Sequence, residues 1–318
     1  MKTVLVTGAC GTIGERVCSG LCKKNNNVIA VDSHPSEYNE FKANYQYIQA
    51  GPLDKEIYAY IFREYNVDAV VHLACSVDND FDNIISSDKV KTSNVCDSYI
   101  YKMAVAANVE QFLLLSTYQV YEIPKSREPI REDDEIKCIT NYAKLKYHSE
   151  QALQFDIQND KKITCAIVRS APIYSLDYYP NLAAKIIDPK DNTAFIYREG
   201  DYGFHFCCLH NLVDFILCFL KQADSPQYAG FYNVADKFII SANEIIEYMR
   251  TNHELGPVLQ RKEKNEKIQS LISRFSKNND EIINYRYFDQ SRIFSNTMLD
   301  TTRAKKLCPF KWDIKNTK

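Results

Sequence analysis

The stretch "VTGACGTIG" (residues 6–14) ends the apolar run Val4-Leu5-Val6 with three glycines, Gly8, Gly11 and Gly14, and then opens into a helical pattern. Glycine lets a backbone turn sharply and approach another group closely. A helix N-terminus offers unpaired amides and the positive end of its dipole to an anion. A strand, a glycine turn and a helix in that order suit the pyrophosphate of a dinucleotide, although a plain glycine-rich strand–helix turn shares the spacing. A second feature lies 18 residues after Gly14, where the next β-branched run ends in Val31-Asp32. A carboxylate there accepts from ribose hydroxyls and repels a 2′-phosphate. Together the two features predict NAD as cofactor, with NADP disfavoured, held by Gly8, Gly11, Thr12, Ile13, Gly14 and Asp32.

Working outward, apolar runs at 3–7, 28–32, 45–49, 69–73, 112–116 and 164–169 alternate with helical stretches. Such alternation predicts parallel strands joined by helical crossovers, and continuous apolar runs predict a sheet covered on both faces. The fold class is therefore α/β. From Ser170 the regularity is lost, with Pro172, Pro180, Pro189, Gly200 and Gly203 marking loops and short strands where a substrate-binding part would sit. Helical patterns at 211–222 and 242–252 flank a strand pattern at 231–235. The expected division is a dinucleotide-binding domain over 1–169 and a mainly substrate-binding part over 170–318, with segments near 206–235 returning to the first. The run 257–280, rich in Lys, Glu, Asn and Arg, reads as an exposed helix or loop without chemistry.

At 318 residues with 39 Lys plus Arg against 41 Asp plus Glu, the net charge of −2 gives no electrostatic reason to expect nucleic acid or an anionic membrane surface. No apolar run reaches the length of a membrane span, and MKTVLVTGAC turns at its glycine before a signal-peptide core could form, so a cytoplasmic protein is expected. The eleven cysteines are odd in number and lie mostly in apolar runs, as reduced core thiols would. Cys18 and Cys22 stand four apart, but neither a CxxC nor an HxxxH pair accompanies them, and no metal is expected.

Tyr142 and Lys146, within "YAKLK" (142–146), share one face of a helix if that segment is helical. A phenol ionises near pH ~10, too high for an acid or base at neutral pH, and a neighbouring ammonium lowers it. In a chain with 22 tyrosines such a pair also arises by chance. With the glycine spacing and "HLAC" (72–75), however, it resembles the extended short-chain dehydrogenase/reductase family, whose members include NAD-dependent, nucleotide-sugar-modifying epimerases and dehydratases. "IVRSAPIY" (167–174), "FYNVA" (231–235), "SANEI" (241–245) and "LDTTRAKKL" (299–307) are similar to the family's later landmarks in the same order. The resemblance implies a Rossmann-type doubly wound parallel sheet with a smaller C-terminal substrate-binding part. It also implies a homodimer through helices near 83–108 and 141–155, and further cofactor contacts at Leu53, Leu73, Ala74, Cys75, Asn94, Ser116, Tyr142, Lys146 and Ala171.

By the same resemblance Tyr142 is the catalytic acid/base, Lys146 tunes it and holds the nicotinamide ribose, and Glu150 is a structural surface or packing residue. Thr117, in "STYQVYE" (116–122), binds the substrate oxygen whose proton Tyr142 moves. The family's 4,6-dehydratases carry Thr-Asp-Glu where this chain has Thr117-Tyr118-Gln119; a glutamine cannot act as a base, which disfavours elimination. The expected function is nucleotide-sugar epimerisation through a 4-keto intermediate. The alternatives are a ketosugar reductase or dehydrogenase, and a non-catalytic dinucleotide sensor. Several of the family's diphosphate anchors are replaced, by Pro172, Ser175, Phe204 and Asn211, and Pro52 stands where relatives often carry an adenine-contacting Asp. Arg292 is the candidate substitute anchor, with Arg198 and Lys185 behind it, and each also reads as a solvated charge.

Overall fold

The apolar runs become strands of one sheet in the computed structural model, which describes residues 1–36, 43–75, 87–122, 128–138, 140–159, 163–188, 192–222, 226–262 and 298–317. The first half contains β1 (Thr3–Thr7), α1 (Thr12–Lys23), β2 (Asn27–Asp32), β3 (Tyr45–Gln49), α2 (Lys55–Glu64) and β4 (Ala69–His72). It continues with α3 (Ser87–Ala106), β5 (Gln111–Thr117), α4 (Asn141–Asn159) and β6 (Thr164–Ser170). Then follow β7 (Ile173–Tyr174), α5 (Pro180–Ile186), β8 (Ala194–Tyr197), β9 (Gly203–Phe204), β10 (Cys207–Cys208), α6 (Leu209–Lys221) and β11 (Gly230–Val234). The remaining elements are β12 (Ile240–Ser241), α7 (Ala242–Asn252), β13 (Val258–Arg261) and α8 (Thr302–Leu307).

Seven strands pair in the order β11-β6-β5-β4-β1-β2-β3, every neighbour parallel. The chain leaves β1 in one direction and returns on its other side at β4, so the order reverses between these strands. A crevice opens at their carboxyl ends, where ligands bind in such sheets. Side chains alternate across the sheet and are apolar on both faces. Val4, Val6, Val28, Val71 and Leu113 pack with Val17, Leu21, Phe215 and Phe219 of α1 and α6. Leu5, Ile29, Val70, Phe112 and Leu114 pack with Ile61, Ile100, Tyr101 and Leu153 of α2, α3 and α4. Each fully buried aliphatic or Phe side chain contributes about 1.5–3 kcal/mol relative to exposure. This is the Rossmann-type, doubly wound arrangement.

A third core gathers Tyr174, Leu182, Phe195, Phe204, Phe206, Ile245 and Met249 beneath three small sheets, β7–β10, β9–β12 and β8–β13. α7 begins with a reciprocal cap in which Ser241 Oγ accepts from Glu244 N–H at 3.2 Å and Ser241 N–H donates to Glu244 at 2.9 Å. The reading of 257–280 as a helix or loop fails at its start. Residues Val258–Arg261 add a parallel strand to β8, because Arg261 stacks over Phe195 at 4.2 Å and pairs with Asp188 at 2.7 Å. Residues 263–280 of that run lie outside the described residues. All eleven cysteines are free; seven are buried, and Cys10, Cys75, Cys138 and Cys218 are half-buried. Among the described residues no helix is long and apolar enough to cross a membrane.

Candidate active site

The glycine turn is shaped by close backbone approach. Gly8 has φ +69°, and a Cβ there would lie 2.8 Å from Ala74 N at the end of β4. A Cβ on Gly14 would collide with the Gly8 carbonyl oxygen and lie 2.7 Å from Ala9 Cα. Gly11 caps α1 without a side-chain hydrogen bond, so no side chain occupies the amides of the first turn, which holds Thr12 and Ile13. Asp32 closes β2 beside this turn. Its carboxylate accepts from Cys10 N–H at 2.9 Å and His34 N–H at 3.0 Å, which fixes its orientation beside the turn. These residues fit a dinucleotide: a pyrophosphate at the cap and a diol at Asp32. Leu53 lies on the rim with its side chain exposed, and its carbonyl accepts from Lys55 N–H at 2.8 Å.

The second half of the crevice is built where β4, β5 and α4 meet. Lys146 is buried and donates from Nζ to the Leu115 carbonyl at 3.0 Å, which ties α4 to the end of β5. Tyr142 stands one helical turn earlier, and Cys75, just after β4, interacts electrostatically with Lys146. Burial pushes the Tyr142 phenol up, and the Lys146 charge pulls it down without overcoming burial. The sequence expectation that the lysine lowers the phenol holds for the lysine's own effect but not for the net direction. Burial works against the Lys146 ammonium, yet Cys75, Tyr142 and Asp97 together hold its pKa above the ordinary value.

Thr117 is buried at the end of β5, and its Oγ1 accepts from Gln119 N–H at 3.3 Å. That bond occupies an oxygen lone pair and leaves the hydroxyl proton to donate. Ser116, its neighbour, points the other way and donates to Glu150. Glu150 is fully buried and paired with Arg169 at 2.7 Å, which makes it a packing rather than a surface residue. The Arg169 guanidinium also stacks on Phe231 at 4.2 Å and donates to the Glu132 carbonyl at 3.0 Å. A cofactor contact at Ser116 would therefore use its backbone.

Ala171 is buried after β6 and donates its N–H to Val234 O at 3.0 Å; Leu73, Ala74 and Cys75 follow β4 and are half-buried. Asn94 falls on α3, with its side chain outside the described residues, and Arg292 lies outside them altogether. Of the other candidate cations, Lys185 Nζ sits over the Phe204 ring at 5.2 Å, and Arg198 occupies a turn with φ +48°. Asn211 is a structural clamp: it donates to Asp236 at 2.8 Å and to the Trp312 carbonyl at 2.7 Å, and accepts from Lys311 N–H at 3.0 Å. Sequence reasoning missed Thr7 and Asp97, which sit with His72 in a buried hydrogen-bonded chain behind Ala74. The signal for it was a histidine ending an apolar strand and an aspartate inside a helix.

A doubly wound sheet with a glycine turn and a Tyr–Lys pair one helical turn apart defines the extended short-chain dehydrogenase/reductase class. The chain belongs to the NAD dependent epimerase/dehydratase family, whose model matches residues 4–235. It is 25% identical over 272 residues to human dTDP-D-glucose 4,6-dehydratase, covering 80% of this chain and 76% of the relative. It is likewise 25% identical over 185 residues to UDP-glucose 4-epimerase of Drosophila melanogaster, covering 50% of each. In structure it superposes on UDP-glucuronic acid 4-epimerase from Bacillus cereus, solved with UDP-glucuronic acid and NAD, with a TM-score of 0.70, 17% identity, and coverage of 99% and 96%. The dTDP-glucose 4,6-dehydratase DesIV from Streptomyces venezuelae, solved with NAD, gives 0.69, 16%, and coverage of 98% and 92%. Dehydratases thus stand as near as epimerases, and kinship lends no support to the expectation that set dehydration aside. What these comparisons establish is the epimerase/dehydratase class.

Proposed function

We propose that the chain uses NAD to epimerise a nucleotide-linked sugar at C4 through a transient ketone. The observation that carries this reading is the Lys146 ammonium, bound to the Leu115 carbonyl one turn from Tyr142 and two residues before Thr117. When bound, the nicotinamide supplies a hydride acceptor and donor. In this reading Tyr142 takes the C4 hydroxyl proton as the carbon is oxidised and returns it when the ketone is reduced on its opposite face. Thr117 donates its hydroxyl proton to the same oxygen, and Lys146 holds positive charge beside the phenolate. Gly8, Gly11, Thr12, Ile13, Gly14 and Asp32 bind the adenosine diphosphate half, while Leu73, Ala74, Cys75, Asn94 and Ala171 border the nicotinamide half.

Dehydration is the second reading, favoured by the human relative's coverage of this chain. Tyr118 and Gln119 speak against it, because neither supplies a carboxylate to protonate a leaving hydroxyl or take a carbon-bound proton. For the sugar nucleotide's diphosphate, Lys185 beside Phe204, Arg198 and Arg292 are the cations proposed. The substrate-binding part is taken as 170–318 with 206–235 returning to the dinucleotide domain, and the protein as a cytoplasmic homodimer. Pairing through α3 and α4 fits their exposed apolar residues Val95 and Phe155; a solution mass of one chain would overturn it. The reaction is tested by offering UDP- and dTDP-hexoses to the purified protein and reading product stereochemistry and mass. An epimer of unchanged mass supports the proposal, loss of one water supports dehydration, and net nicotinamide reduction supports a dehydrogenase. No turnover of any sugar, with dinucleotide bound, would leave the sensor.

A further inference from the structure

The ends of β1 and β4 are tied by buried hydrogen bonds that run from the glycine turn into α3. Ala74 N–H donates to Thr7 Oγ1 at 3.3 Å, Thr7 Oγ1 lies 2.6 Å from His72 Nδ1, and His72 Nε2 lies 2.7 Å from Asp97 Oδ1. Thr7 and His72 are fully buried and Asp97 nearly so. One proton arrangement satisfies every member. The backbone N–H can only donate, so the Thr7 oxygen accepts from it and turns its own O–H to His72 Nδ1. The imidazole is then neutral with its proton on Nε2, which donates to the Asp97 carboxylate. A proton on Nδ1 would leave the Thr7 hydroxyl proton without an acceptor among the described bonds.

Stability alone does not account for three polar groups in this place. A carboxylate out of water is costly unless paired, and apolar residues of similar shape are often neutral or better. His72 already packs against Phe112, with ring centroids 6.0 Å apart, in an otherwise apolar seam. What the chain of bonds controls is the segment at its far end. Ala74 lies against Gly8, so closely that a Cβ on Gly8 would come within 2.8 Å of its nitrogen, and the next residue, Cys75, interacts electrostatically with Lys146.

We infer that Asp97, His72 and Thr7 are positioning residues that fix the Ala74–Cys75 backbone between the glycine turn and Lys146, and so set the affinity of this site for a nicotinamide dinucleotide. Asp97 enforces direction: a carboxylate can only accept, whereas an amide in its place could donate to Nε2 and allow the other tautomer. The inference rests on the dinucleotide site proposed above. It adds that residues touching neither substrate nor cofactor decide how tightly that site closes.

The test uses the full-length protein freed of retained dinucleotide and titrated with NADH by fluorescence. Thr7→Val keeps the shape and removes the hydroxyl; it is expected to weaken binding about tenfold, the worth of roughly one buried hydrogen bond. Thr7→Ser keeps the hydroxyl and is expected to stay within about threefold of wild type. Nitrogen NMR of the wild-type histidines should find His72 neutral with its proton on Nε2, and Asp97→Asn should lose that signature and weaken NADH. Asp97→Asn also carries the binding test if Thr7→Val does not fold. Three outcomes overturn the relay while leaving the functional reading intact: Thr7→Val binding like wild type, Thr7→Ser weakened as much as Thr7→Val, or His72 protonated on Nδ1 in the wild type. A wild-type protein that binds no dinucleotide would overturn both.

Discussion

Lys146 decides more than its own position. Its charge is held up by Cys75, Tyr142 and Asp97 against the cost of burial, and it is the group that opposes burial at Tyr142. Since the phenol is displaced upward, the phenolate that the proposed reaction uses forms more readily as pH rises, and kcat should climb on the alkaline side of neutrality. Replacing Lys146 by Met removes the opposing charge, so the phenol rises further. The expected result is an alkaline limb moved to higher pH and a rate near neutrality lower by about a hundredfold, read from a pH–rate profile. An unmoved limb would mean that Tyr142 is not the titrating group. The Tyr–Lys spacing was legible in the sequence because one helical turn is a local relation. That burial outweighs the lysine was not, because it depends on what distant parts of the chain, Cys75 and Tyr178 among them, bring around the phenol.

At the scale of elements, α4 is held to the sheet by two buried charges at its back as well as by Lys146 at its front. Glu150 accepts from Arg169 of β6 and from Ser116 of β5, and so bolts the helix that carries Tyr142 onto two adjacent strands. Glu150→Gln would leave the Arg169 cation buried without its counter-charge, which costs about 3–5 kcal/mol. A lowered midpoint in urea at unchanged slope is the expected measurement; a change below about 1 kcal/mol would show the pair to be exchangeable with hydrogen bonds alone. Strands β1, β2, β4, β5 and β6 were readable because each is a largely apolar, buried run, whereas the edge strand β3 alternates Tyr and Ile with Gln and is only half-buried. For Glu150 the sequence left surface and packing both open, because its partner, Arg169, lies 19 residues on in another element. Likewise β13 was hidden in a charged run, since its support is the stacking of Arg261 on Phe195 rather than any apolar pattern.

Across the whole molecule, the C-terminal segment is locked to the core through His205. Its Nε2–H donates to the Asp236 carbonyl at 2.8 Å and its Nδ1 accepts from Leu299 N–H at 2.9 Å, an arrangement that needs the neutral ring. Burial pushes its pKa down to about 4 from 6.5. Because the folded pKa lies below the unfolded one, this contribution is intact above pH ~6.5 and is lost as pH falls toward ~4. Between pH 7 and pH 5 the loss is about 2 kcal/mol from this residue alone. Burial moves Asp236 the opposite way, up to about 6, so it binds its proton more tightly when folded and partly offsets the histidine over the same window. The His205 contribution is isolated by comparison with His205→Gln: the stability advantage of wild type should shrink by about that amount from pH 7 to pH 5. A difference independent of pH would contradict it. None of this was legible in the sequence, where His205 carries no motif and its two partners lie 31 and 94 residues away.

The central claim is that Tyr142 moves the proton that accompanies hydride transfer at a sugar carbon. Its most direct test is Tyr142→Phe, which keeps the ring and removes the hydroxyl, assayed with whichever hexose nucleotide the wild type converts and with NAD binding measured alongside. The expected result is a kcat lower by about 10²–10⁴ with dinucleotide affinity little changed. Turnover within about threefold of wild type, with the same product stereochemistry, would contradict it.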